Sequence, residues 1–236
     1  IFVQIAAYRD PDCQHTVKDL FEKAAHPERI FAGICWQFSK KEDARCFEVP
    51  YPRPDQVRVK EVDAAKSRGV CWARSLVQKL WQGEEFTLQI DSHMRFEPGW
   101  DDTLLSMWRD CKNAKTVLTC YPPGFTPPGD CLSDRLFGMS AKEFDKNGIF
   151  LMTGKPAFMK GQFPDKPIPG AFLSGCMYFA PAGVIADVPY DPHLYFFGEE
   201  ISMAVRLWTS GYDFYHPNRP VIYHDWDRGK RPTHFS

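Results

Sequence analysis

Apolar runs and helical stripes alternate along the first half of the chain. Ile1–Ala7, Ile30–Phe38, Val57–Val62 and Phe86–Ile90 read as strands. Between them, Val17, Leu20, Phe21 and Ala24 fall at i, i+3, i+4 and i+7 of a first helix. Thr16 with Asp19 resembles a capping box at its start, and Pro27 marks its stop. The Pro-rich turn Pro50–Pro54 precedes the third strand. A second helix, from about Ser67 to Trp81, carries Val70, Ala73, Leu76, Val77 and Leu80 on one side. Strands alternating with helices at this spacing predict an α/β fold with a mostly parallel sheet and right-handed crossovers.

The second half is less regular. A short helix is expected near Thr103–Cys111 and a strand over Thr116–Cys120. Residues 122–169 hold eight of the twenty prolines and little periodicity. A stretch of this length without a pattern is read as a substrate-facing excursion with short strands. Order returns at Ala171–Ala180. After Gly198-Glu199-Glu200, a helix is predicted with Ile201, Ala204, Val205 and Trp208 on one face and Gly211 past its end. A last strand, Val221–Tyr223, ends at His224. The chain carries no internal repeat and is read as one domain, 1–236.

Composition narrows the classes. Among 236 residues the net charge is −1, so the basic footprint of a nucleic-acid binder is absent. No apolar stretch reaches the roughly 18 residues of a membrane span. The aromatic share of 15% suggests an aromatic-rich core or an aromatic-lined cleft. None of the eight cysteines has C-x-x-C spacing, which argues against a cysteine zinc site. Most cysteines sit in apolar patterns and there is no N-x-S/T sequon. A reducing, cytoplasmic setting is expected, although an even cysteine count also suits disulfides. The chain begins in a strand-like run without an initiator Met or signal peptide, so no targeting is read from it.

The candidate chemistry centres on Asp91-Ser92-His93. It closes the apolar strand Phe86–Ile90, and ligands of open α/β sheets bind at such strand ends. Side chains at i and i+2 point the same way, so Asp91 and His93 can share one cation. His224, ending another apolar strand, can supply a third ligand. One carboxylate and two imidazoles suit Mn2+, Zn2+ or Fe2+. The plain alternative is that Asp91 caps a turn and His93 is an ordinary surface histidine. Arg68 and Arg74, on or beside the second helix, are either anion-binding groups or a solvated, ion-paired face. Glu199 and Glu200 either face a cleft or offset a helix dipole. The tail Asp225–Pro232, with Arg228, is either a basic lid over an anion or a frayed end. Thr153-Gly154-Lys155 lacks the earlier glycine of a Walker motif.

The order of these segments resembles the GT-A glycosyltransferases. The run Ser67–Arg74, the Gly83-Glu84-Glu85 turn, Asp91-Ser92-His93, Gly99-Trp100, Ser174-Gly175-Cys176, Gly198-Glu199-Glu200 and Tyr223-His224-Asp225-Trp226 carry it. The D-x-H form followed by Gly-Trp is similar to the polypeptide N-acetylgalactosaminyltransferases. The opening Ile5–Pro11 and the run Ser67–Arg74 resemble more closely the N-acetylglucosaminyltransferases that modify hydroxyproline on the adaptor subunit of SCF ubiquitin ligases. The resemblance spans most of the chain and is weakest over 122–169.

It implies a GT-A nucleotide-diphospho-sugar transferase fold, with a nucleotide-binding half over 1–93 and an acceptor half over 94–236. It implies a retaining transfer of GlcNAc from UDP-GlcNAc to a protein or peptide hydroxyl, with a divalent cation, Mn2+ in the first instance. Asp91, His93 and His224 would hold the cation. Ala7, Tyr8, Arg9, Arg68, Arg74, Ser92 and Arg228 would contact the nucleotide. Asp91 and Glu199 are the catalytic candidates, Glu199 by orienting acceptor or sugar hydroxyls. Other donors, a glycan acceptor, a non-catalytic sugar-nucleotide binder and a metal-dependent hydrolase stay open as alternatives.

Overall fold

The structure is a computed structural model that describes residues 1–127, 130–131, 135–159, 161–227, 229 and 231–233, the side chains of 130 and 131 excepted. In chain order the elements are β1 (Phe2–Tyr8), α1 (Cys13–Glu22), β2 (Phe31–Phe38), β3 (Val57–Asp63), α2 (Val70–Gln78), β4 (Phe86–Ile90), β5 (Met94–Phe96) and α3 (Trp100–Asp110). Then come β6 (Thr116–Thr119), β7 (Phe125–Thr126), β8 (Asp130–Cys131), β9 (Arg135–Phe144), β10 (Phe150–Met159), β11 (Ile168–Gly170) and β12 (Met177–Pro181). α4 (Val184–Asp187), α5 (Glu199–Thr209), β13 (Asp213–His216) and β14 (Ile222–His224) complete the chain.

Eight strands form the central sheet in the order β11-β13-β6-β12-β4-β1-β2-β3. The sheet is mixed. β4, β1, β2 and β3 run parallel, and so do β6 and β13. β12 enters antiparallel between β4 and β6, and β11 pairs antiparallel with β13, within the mostly parallel sheet the sequence pattern predicts. The chain winds outward from β1 to β3, then returns to place β4 on the other side of β1. That reversal leaves a crevice outside the carboxyl ends of β1 and β4, the usual ligand position in such sheets.

Two clusters of buried side chains cover the two faces of the sheet. One joins Val3, Ile5, Leu88 and Ile90 to Leu20, Phe21, Trp100 and Leu104. The other joins Phe2, Cys35 and Tyr178 to Ala73, Val77, Met203 and Leu207. The excursion after β6 is organised around the antiparallel hairpin β9–β10, two ten-residue strands apart from the central sheet. Among the described residues, no helix is long and apolar enough to cross a membrane. Among the described side chains, seven cysteines are free thiols.

Helix boundaries differ from the sequence reading in ways that matter for the crevice. α1 begins at Cys13, so Thr16 lies inside it and does not cap it. The Thr16 hydroxyl donates to the Ser92 carbonyl (2.8 Å) and accepts from the Met94 amide (2.9 Å). Asp19 accepts from the Phe96 amide at 2.7 Å. The pair that looks like a cap stitches α1 to the segment after β4. α2 begins at Val70, because Gly69 turns sharply at φ +97 and a Cβ there would lie 2.3 Å from the Tyr195 carbonyl oxygen.

Candidate metal and nucleotide site

The crevice opens into a cavity of about 810 Å³. At its floor, β4 delivers Asp91, Ser92 and His93. His224 reaches the same point because β14 pairs antiparallel with β5, setting His224 opposite Met94. The Asp225 amide donates to the His93 carbonyl at 3.1 Å and the His224 amide to the Pro123 carbonyl at 3.0 Å, which fixes the two histidines side by side. β5 is three residues long, too short for periodicity to reveal, and it brings together two histidines 131 positions apart.

The geometry of the triad is convergent. His224 Nε2 lies 3.1 Å from Asp91 Oδ2 and 3.1 Å from His93 Nε2. Ligand atoms of Asp91, His93 and His224 all fall within 4.8 Å of one another. Burial lowers the pKa of His224 against the opposing pull of Asp91, so its imidazole is neutral at physiological pH, the form that ligates a metal. Burial works against ionisation of Asp91, yet His224, His93 and Arg74 hold its carboxyl well below the usual carboxylate range.

Asp10, just past β1, was not among the candidates read from the sequence. It is 2% exposed and accepts from Ser92 Oγ at 2.6 Å. Its Oδ2 also lies 2.7 Å from His93 Nδ1. A carboxylate on Nδ1 keeps the proton there and turns the Nε2 lone pair toward the triad. The donor set and its support therefore fit a divalent cation bound through two imidazoles and a carboxylate. Ser92 lines the same cleft while its hydroxyl donates to Asp10. The available signal was a carboxylate closing β1 at the same sheet edge as Asp91.

The remaining candidates divide. Strand alternation sends Tyr8, with Ala6, to the cleft wall and Ala7 into the core, where it is fully buried. Arg9 turns away at φ +49, and its Nε lies 2.9 Å from Asp43 Oδ2 while Nη2 pairs with Glu42. Arg68 is exposed ahead of α2 and is not among the residues lining the cleft. Arg228 lies outside the described residues. From the same tail, Arg231 lines the cleft, with Nη2 donating to the Asp225 carbonyl at 2.9 Å and Nε 4.0 Å from Asp10.

Arg74 lies at the cleft floor, 4% exposed, and its charge is already matched. It donates to Glu199 and to the Gly175 carbonyl, stands 3.4 Å from Asp91 Oδ1, and lies over the Tyr190 ring. Tyr190 donates to the same Glu199 oxygen at 2.8 Å. Glu199 is thus anchored among buried partners. Glu200 accepts from the Gly175 amide at 2.7 Å and from the Tyr121 hydroxyl at 3.1 Å. Burial raises its carboxyl to about 7.

Comparison with known proteins agrees with this arrangement. The family model described as Glycosyltransferase (GlcNAc) matches residues 1–56 and 48–236. No curated protein matches the chain. Among solved structures, the chain is similar to GalNAc-T7 crystallised with UDP, GalNAc and Mn2+, with a TM-score of 0.67 and 15% identity over 95% of this chain and 43% of that one. It is also similar to S. aureus TarS 1–349 in complex with UDP-GlcNAc, with a TM-score of 0.60 and 13% identity over 98% of this chain and 59% of that one. The chain thus spans about half the length of these structures. These likenesses establish the fold as GT-A. With the family model extending over the whole sequence, the chain belongs to the GlcNAc glycosyltransferase family.

Proposed function

We propose that the chain is a metal-dependent, retaining enzyme that moves GlcNAc from UDP-GlcNAc to a protein hydroxyl, on hydroxyproline, Ser or Thr. The observation that carries this reading is the convergence of Asp91, His93 and His224 in the crevice between β1 and β4. A divalent cation held there, Mn2+ in this reading, would neutralise charge developing on the departing diphosphate. GalNAc-T7 with Mn2+ and UDP, and TarS with UDP-GlcNAc, support both choices by fold analogy.

The chain's own residues have separable tasks. Tyr8 and Ala6 offer the wall at the end of β1 for the uridine, within the nucleotide-binding half 1–93. Asp10 orients His93. Glu199 holds Arg74, and Arg74 in turn braces Asp91, so Glu199 acts by positioning. Arg231, at the cleft, is the tail cation placed to approach the diphosphate. In the transfer, the acceptor oxygen bonds to the anomeric carbon as the bond from that carbon to the UDP oxygen breaks. The hydroxyl proton passes to the departing phosphate oxygen, so no strong protein base is required.

Calorimetric titration with UDP-GlcNAc and UDP-GalNAc, with and without Mn2+, tests the reading. Mn2+ is expected to tighten UDP-GlcNAc binding on the order of tenfold or more, and UDP release should require the metal. A chain that binds UDP-GlcNAc but never releases UDP would be a binding module. A chain that binds neither sugar nucleotide would overturn the proposal.

A further inference from the structure

The acceptor of any glycosyltransferase must enter the cleft beside the donor, and one wall of this cleft has an unusual construction. Phe150, Leu151, Met152, Thr153 and Gly154 all line the cavity that also holds Asp91 and His224. These are five consecutive residues of β10. A strand that turns one face to a cavity contributes every second residue, because side chains alternate. A consecutive run means that the strand turns its edge to the cavity, exposing backbone donors and acceptors.

That edge is open. Among the described residues, β10 pairs only with β9, and β9 takes its other side. Long open edges attract foreign strands, and proteins guard them with lysines and prolines. Here the guards stand on the outer half alone, at Lys155 and Pro156, both exposed. The inner half, Phe150–Gly154, has neither. Opposite Leu151 and Met152 the pairing skips Lys142 of β9, a local irregularity of the hairpin beside the cleft. Gly154 keeps the passage clear, since a Cβ there would come within 3.3 Å of the Tyr121 ring.

The side chains around this edge also select a chemistry. Phe137, Phe150, Leu151, Met152 and Ile201 make the wall apolar. Apolar side chains of an acceptor segment can pack against it. A polypeptide brings amides and carbonyls spaced to match a strand edge.

We propose that the inner edge of β10 is the acceptor dock. An extended peptide segment of the acceptor adds to Phe150–Gly154 backbone to backbone, in the manner of strand addition, and carries its hydroxyl toward the triad. The inference rests on the reading of a protein acceptor and specifies how that acceptor is held.

The test uses the whole chain with Mn2+, UDP-GlcNAc and a pool of peptides of about twelve residues, enough to cover the edge at roughly 3.4 Å per residue. Each peptide has a central Ser, Thr or hydroxyproline and randomised flanks, and products are read by mass spectrometry. The best peptide is then N-methylated at one backbone amide at a time. Strand addition predicts that transfer falls by about tenfold at alternating flank positions and is little changed at those between. Tolerance at every position, or losses without alternation, would overturn the dock. Metal-dependent UDP release with no peptide glycosylated would also overturn it and leave the transferase reading standing. No UDP release under any condition would instead defeat the functional reading itself.

Discussion

Asp10 and Asp91 are both carboxylates at the end of a strand, yet they do different work. Asp91 points an oxygen at the triad, whereas Asp10 sits behind it and holds His93 Nδ1 at 2.7 Å. Support of this kind is worth about 10- to 100-fold in metal affinity. Asp10→Asn removes the charge and should weaken Mn2+ binding by that factor in a calorimetric titration, with the circular dichroism spectrum unchanged. Unaltered affinity would mean that His93 needs no orientation or is not a ligand. Glu200 makes a pH prediction. Burial raises its folded pKa to about 7, above the ordinary value of 4.5. The folded chain therefore binds that proton more tightly than the unfolded chain, and stability is lost as pH rises from about 4.5 through about 7. Glu200→Gln should flatten this slope, with the loss of Tm between pH 5 and 7 reduced by on the order of 5 °C in thermal scans. Parallel curves would contradict the assignment. The D-x-H residues were legible because strand alternation fixes their common direction. Which of Ala7, Tyr8, Arg9, Arg68 and Arg74 line the cleft was not legible, since that requires knowing which strand face meets the cleft and where Gly69 turns.

Elements position these residues through a few polar stitches. Thr16 shows how: from inside α1 its buried hydroxyl serves the Ser92 carbonyl and the Met94 amide on either side of His93. Thr16→Val keeps the shape but strands both groups, and should cost about 2 kcal/mol in urea unfolding. A change below about 0.5 kcal/mol would show that these bonds are dispensable. The capping-box pattern at Thr16 and Asp19 was visible in the sequence, but its use was tertiary. α5 teaches the same lesson about rotation. The sequence offers an apolar stripe through Ile201, Ala204, Val205 and Trp208, yet Val205 is 54% and Trp208 is 68% exposed. Ala204 of that stripe is buried, and Glu199, Met203 and Leu207 face inward with it. On that inward face Glu199 pairs with buried Arg74, a polar contact that hydrophobic periodicity does not register.

At the scale of the molecule, the first half was legible because β1, β2 and β4 are buried apolar runs and α1 and α2 are clear amphipathic helices between strands, the local pattern of parallel pairing. The second half depends on contacts distant in sequence. β12 inserts antiparallel, the β9–β10 hairpin carries little apolar alternation, and β14 finds β5 across more than 120 residues. In the proposed function, this long-range assembly builds one cation site at the switch point of the sheet. Crystals grown with Mn2+ and UDP, with diffraction recorded at the manganese absorption edge, test it most directly. One anomalous peak is expected at roughly 2.2 Å from an Asp91 oxygen and from Nε2 of both His93 and His224, with the UDP diphosphate beside it. UDP bound in the cleft with no anomalous peak at the triad, or Mn2+ held elsewhere, would contradict it.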